Sequence, residues 1–291
     1  MTFLPDAAVE HLKEVAAWPE FTTDRYAVHE ALGRGGMGVV YAAHDTALGR
    51  DVAIKVGARV TGEARMIARL EHPGIVPVHD YGLLADGRPF YVMKRVDGET
   101  LEALLRAGPA LAERLRIYER VCEAVSFAHS RGVIHRDLKP ANIMTGSFGE
   151  VMVMDFGAAA LLAQGHEPGV VLGTRGFMSP EQEAGGEAGV DERADVYALG
   201  AVLDVMLGDD AAPPLRSIVR CAMEAGRTRR YESVAALGDD VRRFRAGDAV
   251  RAHRESALER AARFARKYQV PILLVLAYIV MRALIAVFAG V

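Results

Sequence analysis

The sequence has little cysteine and little net charge. Its 291 residues include two cysteines, Cys122 and Cys221, and neither lies near a second sulfur or a histidine at metal-ligand spacing. We therefore expect two reduced, buried thiols in a cytosolic domain. The formal net charge of −3 is too small to indicate nucleic acid as a partner.

We also expect no signal peptide at the start of the sequence. Met1 to Pro5 is short and is followed by acidic, amphipathic sequence. Residues 1–24 are predicted to form a helical extension, because Val9, Leu12 and Val15 fall at helical spacing before Pro19. We expect the part of the chain that follows to stay in the cytoplasm.

Only the C-terminus carries a long apolar segment, residues 270–291, which is broken by Arg282. At ~1.5 Å per residue, a helix of this length matches the ~30 Å hydrocarbon layer of a bilayer. A central arginine costs about 3 kcal/mol, whereas leucine, isoleucine, valine and phenylalanine each contribute roughly −0.3 to −0.6 kcal/mol. Because the segment has thirteen such residues, we predict a transmembrane helix. The alternatives are a buried hydrophobic helix and an oligomerisation helix.

Residues 251–269 form a basic juxtamembrane segment in this interpretation. Between Arg251 and Tyr268 there are six Arg or Lys and two Glu. The positive-inside rule then predicts a single-pass protein of the cell membrane, with the domain before the segment in the cytoplasm. An ionisable residue within a span often faces a partner, so Arg282 indicates association with a membrane protein or with a second copy.

Between these ends, the periodicity predicts two lobes. Residues 25–97 contain short β-branched runs separated by turn residues, with one helix from about Gly62 to Leu70. Residues 98–250 are mainly helical in their spacing. The predicted fold is therefore α+β, with a small β-rich lobe joined to a large helical lobe.

The first motif is glycine-rich. Gly33, Gly35 and Gly38 fit the pattern G-x-G-x-x-G between two strand-like runs. Glycine suits a backbone that lies close over phosphates, because it carries no Cβ. A dinucleotide-binding fold needs a helix directly after the glycines, but Val39 and Val40 begin another strand.

Three more motifs follow in order. Lys55 ends an apolar strand run, residues 135–142 read His-Arg-Asp-Leu-Lys-Pro-Ala-Asn, and Asp155 begins Asp-Phe-Gly eighteen residues after Asp137. No structural role explains one lysine, one asparagine and two aspartates at these spacings. Their order indicates a site that transfers the terminal phosphate of ATP.

On these motifs the chain, from about Tyr26 to about Val250, resembles the bacterial eukaryotic-like serine/threonine protein kinases. The resemblance implies a bilobed protein kinase fold, ATP and Mg²⁺ as cofactors, and protein serine or threonine as the acceptor. Asp137 would accept or orient the proton of the acceptor hydroxyl, and Lys139 would neutralise charge on the γ-phosphate. Asn142 and Asp155 would hold Mg²⁺.

The resemblance also implies the nucleotide-binding residues. Lys55 would bind the α- and β-phosphates and be held by Glu63, although only seven residues separate the two. Met93 would lie at the back of the adenine pocket, and the backbone near Val96 would bond the adenine edge. The complete expected set is Gly33, Gly35, Gly38, Val40, Ala53, Lys55, Glu63, Met93 and Val96.

Two scaffold contacts are implied in the same way. Glu181 is expected to form a buried ion pair with Arg230. Asp195 is expected to brace the catalytic loop around Asp137. Both roles act on activity through geometry alone.

The sequence departs from the family pattern in two places. No Ser, Thr or Tyr lies between Asp155 and Gly173, so we expect activity not to require loop phosphorylation, with Glu167 supplying part of the missing charge. Family members also insert several dozen residues where this chain has only residues 208–214. The large lobe should therefore have a flatter, more apolar surface there.

The leading hypothesis is a membrane-anchored protein serine/threonine kinase that acts in signalling. A pseudokinase, which would bind ATP as a scaffold or interaction module, is the main alternative, although none of Lys55, Asp137 and Asp155 is lost. Phosphate transfer to a small molecule is a third option, which the segment from Thr174 to Glu181 disfavours.

Overall fold

The computed structural model of the chain describes residues 18–35, 38–58, 60–161, 173–185, 189–209 and 211–289. Most of the predicted N-terminal helix, together with Glu167, lies outside these residues. The bilobed architecture expected from the resemblance is confirmed within them.

The N-terminal lobe is a five-stranded antiparallel sheet with the strand order β1-β2-β3-β5-β4. Its strands are β1 (Tyr26–Gly35), β2 (Gly38–Asp45), β3 (Arg50–Val56), β4 (Val78–Leu83) and β5 (Pro89–Lys94). Strand β3 is buried on both faces, because Val52 and Ile54 pack into the sheet's own apolar cluster while Ala53 and Lys55 alternate to the other face. Helix α1 (Val60–Ile67) follows β3 and lies close to the predicted limits of Gly62 to Leu70.

The C-terminal lobe is mainly helical. Its helices are α2 (Leu101–Arg106), α3 (Leu111–Ser130), α4 (Pro180–Glu183), α5 (Arg193–Leu207), α6 (Pro213–Ala222) and α7 (Val234–Arg245). Its short strands are β6 (Gly98–Thr100), β7 (Val133–Ile134), β8 (Ile143–Gly146), β9 (Val151–Val153) and β10 (Ala160–Leu161). Helix α3 runs through the core, where the buried Tyr118 hydroxyl donates a hydrogen bond of 3.0 Å to the carbonyl oxygen of Leu199 on α5.

The connection between α5 and α6 is as short as the sequence predicts. Helix α5 ends at Leu207, Gly208 has a positive φ of 65°, and α6 begins at Pro213. The two helices then pack so closely that a Cβ at Gly200 would lie 2.7 Å from the Cβ of Ala222. Glycine at position 200 is therefore required by the approach of α6.

Two further helices complete the described chain, α8 (Ala257–Lys267) and α9 (Gln269–Ala289). Successive apolar side chains of α9 are more than half exposed, including Leu273, Leu274, Val275 and Leu276. No single helix among the described residues meets the length and apolarity needed to cross a membrane. One pair, Ala257–Ala265 with Gln269–Ile285, meets them jointly across a bend of 73°. The predicted single span over residues 270–291 is thus not confirmed.

Candidate active site

The loop that carries Asp137 lies between β7 and β8. Asp195 on α5 holds this loop in place through hydrogen bonds to its backbone. The Asp195 carboxylate, which is fully buried on α5, accepts the backbone N–H groups of His135 at 2.8 Å and Arg136 at 2.9 Å. It also pairs with His129 on α3 at 2.7 Å. Burial by itself would raise the pKa of Asp195, but the hydrogen bond to His129 and the nearby histidines lower it overall. The predicted contact between Asp195 and the catalytic loop is therefore present.

The Asp137 carboxylate is oriented by three side chains. Lys139 Nζ donates to Oδ2 at 3.0 Å, and the Thr174 hydroxyl donates to Oδ1 at 2.8 Å. Asn142 Nδ2 donates to the same Oδ2 at 3.2 Å and to the Asp137 carbonyl oxygen at 2.8 Å. Because Lys139 also donates to the Thr174 hydroxyl at 2.7 Å, these groups form one closed network.

A second network connects the two lobes through Lys55. Its ammonium group lies 2.8 Å from Glu63 on α1 and 2.6 Å from Asp155, and the Lys55 side chain is buried. Burial alone would lower the pKa of Lys55, but the two carboxylates outweigh it and raise the pKa above its usual value. The expected Lys55–Glu63 pair is present, and Lys55 stays charged.

Tyr91 is a member of this network that sequence reasoning missed. Its hydroxyl donates to Glu63 Oε1 at 2.9 Å. The residue pairs directly with Lys55 in the β3–β5 ladder, which explains why both side chains reach the same carboxylate. Only the strand register could have identified it, and one sequence does not give that register.

Asp155 and Asn142 come together because strands β8 and β9 pair. The backbone N–H of Met154 donates to the carbonyl oxygen of Asn142 at 2.9 Å, which extends the ladder to the residue before Asp155. Phe156 is buried, and its ring centroid lies 4.5 Å from that of His135. The amide oxygen of Asn142 and the carboxylate of Asp155 are hard oxygen ligands of the kind that suits Mg²⁺. The residues present therefore fit the predicted metal.

The other predicted nucleotide residues lie on neighbouring strands. Val40 pairs with Lys55, and Ala53 pairs with Met93. Gly33 and Gly35 lie on β1 and pair with Val40 and Gly38, respectively, across the β1–β2 hairpin. Val96 lies two residues beyond the end of β5.

Among the described glycines of the hairpin, Gly33, Gly35 and Gly38, it is Gly38 that has a positive φ. Its φ is +138°, and a Cβ there would collide with the carbonyl group of Val56. The hairpin tip, residues 36 and 37, lies outside the described part of the chain. Strand β2 thus lies close beside β3, and Val40 on it pairs with Lys55.

Glu181 and Arg230 form the expected buried ion pair. Arg230 donates to both carboxylate oxygens, at 2.7 and 2.9 Å, and also to the carbonyl oxygens of Glu224, Ala225 and Arg193. Burial would raise the pKa of Glu181, but the bonds from Arg230 outweigh it and lower the pKa.

Gln182 is a second residue that sequence reasoning missed. Its Nε2 donates to the carbonyl oxygen of Arg136 at 2.8 Å, and its Oε1 accepts from the backbone N–H of Ser179 at 3.2 Å. No motif marks it, because its role depends on how α4 packs on the loop. Through Gln182, the segment after Gly173 is attached directly to the catalytic loop.

Known proteins share these features. Residues 26–216 match the model of the protein kinase domain. Similar curated proteins include the serine/threonine-protein kinase PknB of Mycolicibacterium smegmatis, which is 36% identical over 79% of this chain and 44% of its own length. The PknB of Mycobacterium tuberculosis shows the same identity and the same coverage. The serine/threonine-protein kinase PknD of Chlamydia trachomatis is 38% identical over 63% of this chain and 24% of its own length.

The chain thus spans less than half the length of these curated relatives. The matching domain nevertheless covers well over half of the chain and includes every motif described above. The chain therefore belongs to the protein kinase family, and the relatives that it resembles are bacterial serine/threonine-protein kinases.

Proposed function

We propose that this chain transfers the γ-phosphate of ATP to serine or threonine hydroxyls of proteins. The observation that carries the proposal is the closed network of Asp137, Lys139 and Thr174, together with the ion pair of Lys55 and Asp155. A network of this kind orients one carboxylate towards a hydroxyl that enters the cleft.

In the reaction, the acceptor oxygen forms a bond to the γ-phosphorus while the bond from that phosphorus to the β–γ bridging oxygen breaks. ADP leaves with the bridging oxygen, and the hydroxyl proton passes to Asp137. Lys139 stabilises the charge that develops on the transferred group, and Lys55 fixes the α- and β-phosphates. Glu63 and Tyr91 keep the Lys55 ammonium in place.

Mg²⁺ would supply charge neutralisation between the β- and γ-phosphates, held by Asp155 and Asn142. The adenine ring would lie between Val40, Ala53 and Met93, with the backbone at Val96 bonding its edge. This arrangement is supported by the strand pairing of Val40, Ala53 and Met93 around Lys55.

We also propose that the kinase is held at the cell membrane by α9, with the catalytic lobes in the cytoplasm. A helix whose side chains are apolar on all sides needs an apolar environment. Its exposed Leu273, Leu274, Val275 and Leu276 cover every direction around the axis. The basic residues of α8 then face anionic headgroups. Arg282 would contact a partner helix or a second copy.

Transfer of labelled phosphate tests the proposed activity. The full chain in detergent, with ATP, Mg²⁺ and a generic protein acceptor, should label serine and threonine. Asp137→Asn should abolish labelling, whereas Asp204→Asn, an exposed change on α5, should leave it intact. Equal labelling by Asp137→Asn, or none by the unchanged protein while it binds ATP, would contradict the assignment.

Extraction from cell membranes tests the anchor. The full chain should stay in the pellet at alkaline pH and require detergent for release. Release at alkaline pH without detergent would refute membrane insertion. An Arg282→Leu protein with the same oligomer size and the same co-purifying proteins would show that Arg282 has no partner.

A further inference from the structure

Helix α8 has one apolar face and one polar face. At about 100° per residue, its larger apolar residues and its alanines fall within about 160° of the helix circumference. These residues are Leu258, Ala261, Ala262, Phe264, Ala265 and Tyr268, the last of which caps the helix. Glu259, Arg260, Arg263 and Lys267 lie on the other side. The helix is therefore amphipathic along its whole length.

The two ends of α8 are set by its own sequence. The Ser256 hydroxyl accepts the N–H of Glu259 at 3.2 Å, and the Glu259 carboxylate accepts the N–H of Ser256 at 2.7 Å. Pro271 follows in the first turn of α9, where proline has no N–H to donate and its ring crowds the carbonyl four residues earlier. The two helices accordingly do not join in a straight line but meet at a bend of 73°.

The segment before α8 is attached to the large lobe. The buried Asp240 carboxylate on α7 accepts the backbone N–H groups of Arg251 and Ala252, each at 2.9 Å. The His253 ring lies 3.0 Å from the Ser217 hydroxyl on α6. Residues 251–253 therefore lie on the surface of the large lobe.

The polar face of α8 faces this attached segment. Arg263 donates to Glu255 at 2.7 Å, and Lys267 forms an ion pair with Asp248. Both carboxylates belong to the chain that leads from α7 to α8. Because the polar face is turned towards the lobe, the apolar face is turned away from it.

Nothing in the described part of the chain covers the apolar face. Leu258 is 84% exposed, Phe264 is 58% exposed and Tyr268 is 42% exposed. The rings of Phe264 and Tyr268 contact each other, with centroids 4.7 Å apart. The three large side chains of this face therefore need a partner outside the described residues.

The size of the face disfavours a second copy as that partner. A helix of 11 residues is about 16 Å long, and four of the apolar positions of this one are alanine. A stable protein interface buries about 800 Å² on each partner, which is several times more than one face of such a helix offers. Lipid, in contrast, requires no minimum area of this kind.

A lipid partner agrees with the continuation of the chain. Tyr268 leads directly into α9, whose exposed apolar side chains are proposed above to lie in the bilayer. When α9 stands along the bilayer normal, the bend of 73° places α8 within about 20° of the bilayer plane. Tyrosine at the junction suits the boundary between lipid and water.

We propose that α8 lies in the plane of the membrane surface, with its apolar face in the boundary between headgroups and acyl chains. This inference rests on the proposed membrane anchor. The basic residues of α8 stay at the level of the headgroups, while Leu258, Phe264 and Tyr268 reach about 5–10 Å into the lipid. Through Asp240, the large lobe is then held directly against the bilayer rather than on a free tether.

Tryptophan fluorescence in vesicles tests the proposal. Trp18→Phe first removes the single native tryptophan of the full chain. Single tryptophans are then introduced by Phe264→Trp on the apolar face, by Arg260→Trp on the polar face of the same helix, and by Val275→Trp on α9. Each protein is reconstituted into vesicles of phosphatidylcholine and phosphatidylglycerol that carry bromine either near the headgroups or deep in the acyl chains.

Phe264→Trp should be blue-shifted, and bromine near the headgroups should lower its emission about twofold, more than deep bromine does. Arg260→Trp should lose much less emission with either lipid. Val275→Trp should respond mainly to deep bromine, because it lies about 9 Å further along the axis of α9 than Gln269 does. Thermal unfolding of the catalytic lobes checks that each variant is folded.

The three tryptophans separate this inference from the anchor on which it rests. Quenching of Val275→Trp without quenching of Phe264→Trp would leave the anchor in place and overturn the in-plane helix. A blue-shifted but unquenched Phe264→Trp would mean that protein covers the face instead of lipid. Equal quenching of Phe264→Trp and Arg260→Trp would also overturn the proposal, and no quenching at any position would refute the anchor as well.

Discussion

Glu181 accepts two hydrogen bonds from Arg230, at 2.7 and 2.9 Å, across 49 positions of sequence. Side-chain exposure is 7% for Glu181 and 0% for Arg230, so solvent does little to weaken the pair. The contact joins α4 to the segment that precedes α7. It therefore anchors α4, the helix that follows Thr174 and Phe177 along the chain.

Arg230→Ala should lower the free energy of unfolding by about 3–5 kcal/mol, because it leaves the Glu181 carboxylate buried without its partner. Urea denaturation in detergent, followed by circular dichroism, measures the change. Arg229→Ala is the control, since Arg229 is 72% exposed and should have little effect. A loss below about 1 kcal/mol for Arg230→Ala would show that the pair adds no stability.

The same pair predicts a pH dependence. The pKa of Glu181 is lower in the folded chain than its ordinary value of 4.5. Its stabilising effect is therefore complete above that ordinary value and is lost as pH falls through the folded pKa. Glu181→Gln should be clearly less stable than the unchanged protein at pH 7, and the two should converge in the acid range. A difference that is constant with pH would contradict an ionised Glu181.

Asp195→Asn should weaken the catalytic loop while preserving the shape of the side chain. One amide oxygen cannot replace both carboxylate oxygens, so the N–H of His135 or of Arg136 loses its partner. Each such loss costs about 1–3 kcal/mol. A displacement of Asp137 by ~1 Å would lower kcat on the order of a hundredfold. Thermal unfolding and kcat, each compared with Asp204→Asn, measure both effects.

Thr174→Val should lower kcat by about ten- to a hundredfold with little change in the KM for ATP, because it removes the hydroxyl that joins Asp137 to Lys139. Thr174→Ser keeps that hydroxyl and should retain most of the activity. Steady-state rates at varied ATP measure both parameters. A loss in Thr174→Ser but not in Thr174→Val would assign the effect to packing of the methyl group instead.

Phosphatase treatment should leave the activity unchanged. Between Asp155 and Gly173 there is no hydroxyl to phosphorylate, and the hydroxyl of Thr174 is bonded to Asp137 and Lys139. Mass spectrometry before and after treatment, combined with rate measurements, tests this expectation. Loss of activity together with a phosphate mapped to Thr174 would refute it.

Sequence motifs identified the residues that have a fixed order and spacing along the chain, such as Asp137, Asn142 and Asp155. Lys55 and Glu63 could be paired through the resemblance to the kinase family, and their charged groups lie 2.8 Å apart. The contact of Lys55 with Asp155, at 2.6 Å, was not predicted. Tyr91 could not be found this way, because its contact with Glu63 depends on the register between β3 and β5. The sequence determines that register only through long-range packing.

The exposure of a residue on a helix is a second property that the sequence alone did not give. The spacing of residues 98–250 predicted helices in this lobe, but it could not predict that Val205 is exposed. Exposure at this site depends on the path of the chain after the helix, which places α6 beside Gly200 rather than over Val205. For α9, the composition predicted an apolar helix, but a single membrane span was not confirmed because crossing also depends on length and straightness.

The close packing at Gly200 also affects how the large lobe unfolds. Only residues 208–212 join α5 to α6, so closing this loop costs little conformational entropy. Neither helix can separate from the other without exposing the contact between Gly200 and Ala222. We expect the two helices to open as one cooperative unit. The contacts of Asp195, which belongs to α5, would then be lost as well, so the catalytic loop would lose its support in the same opening.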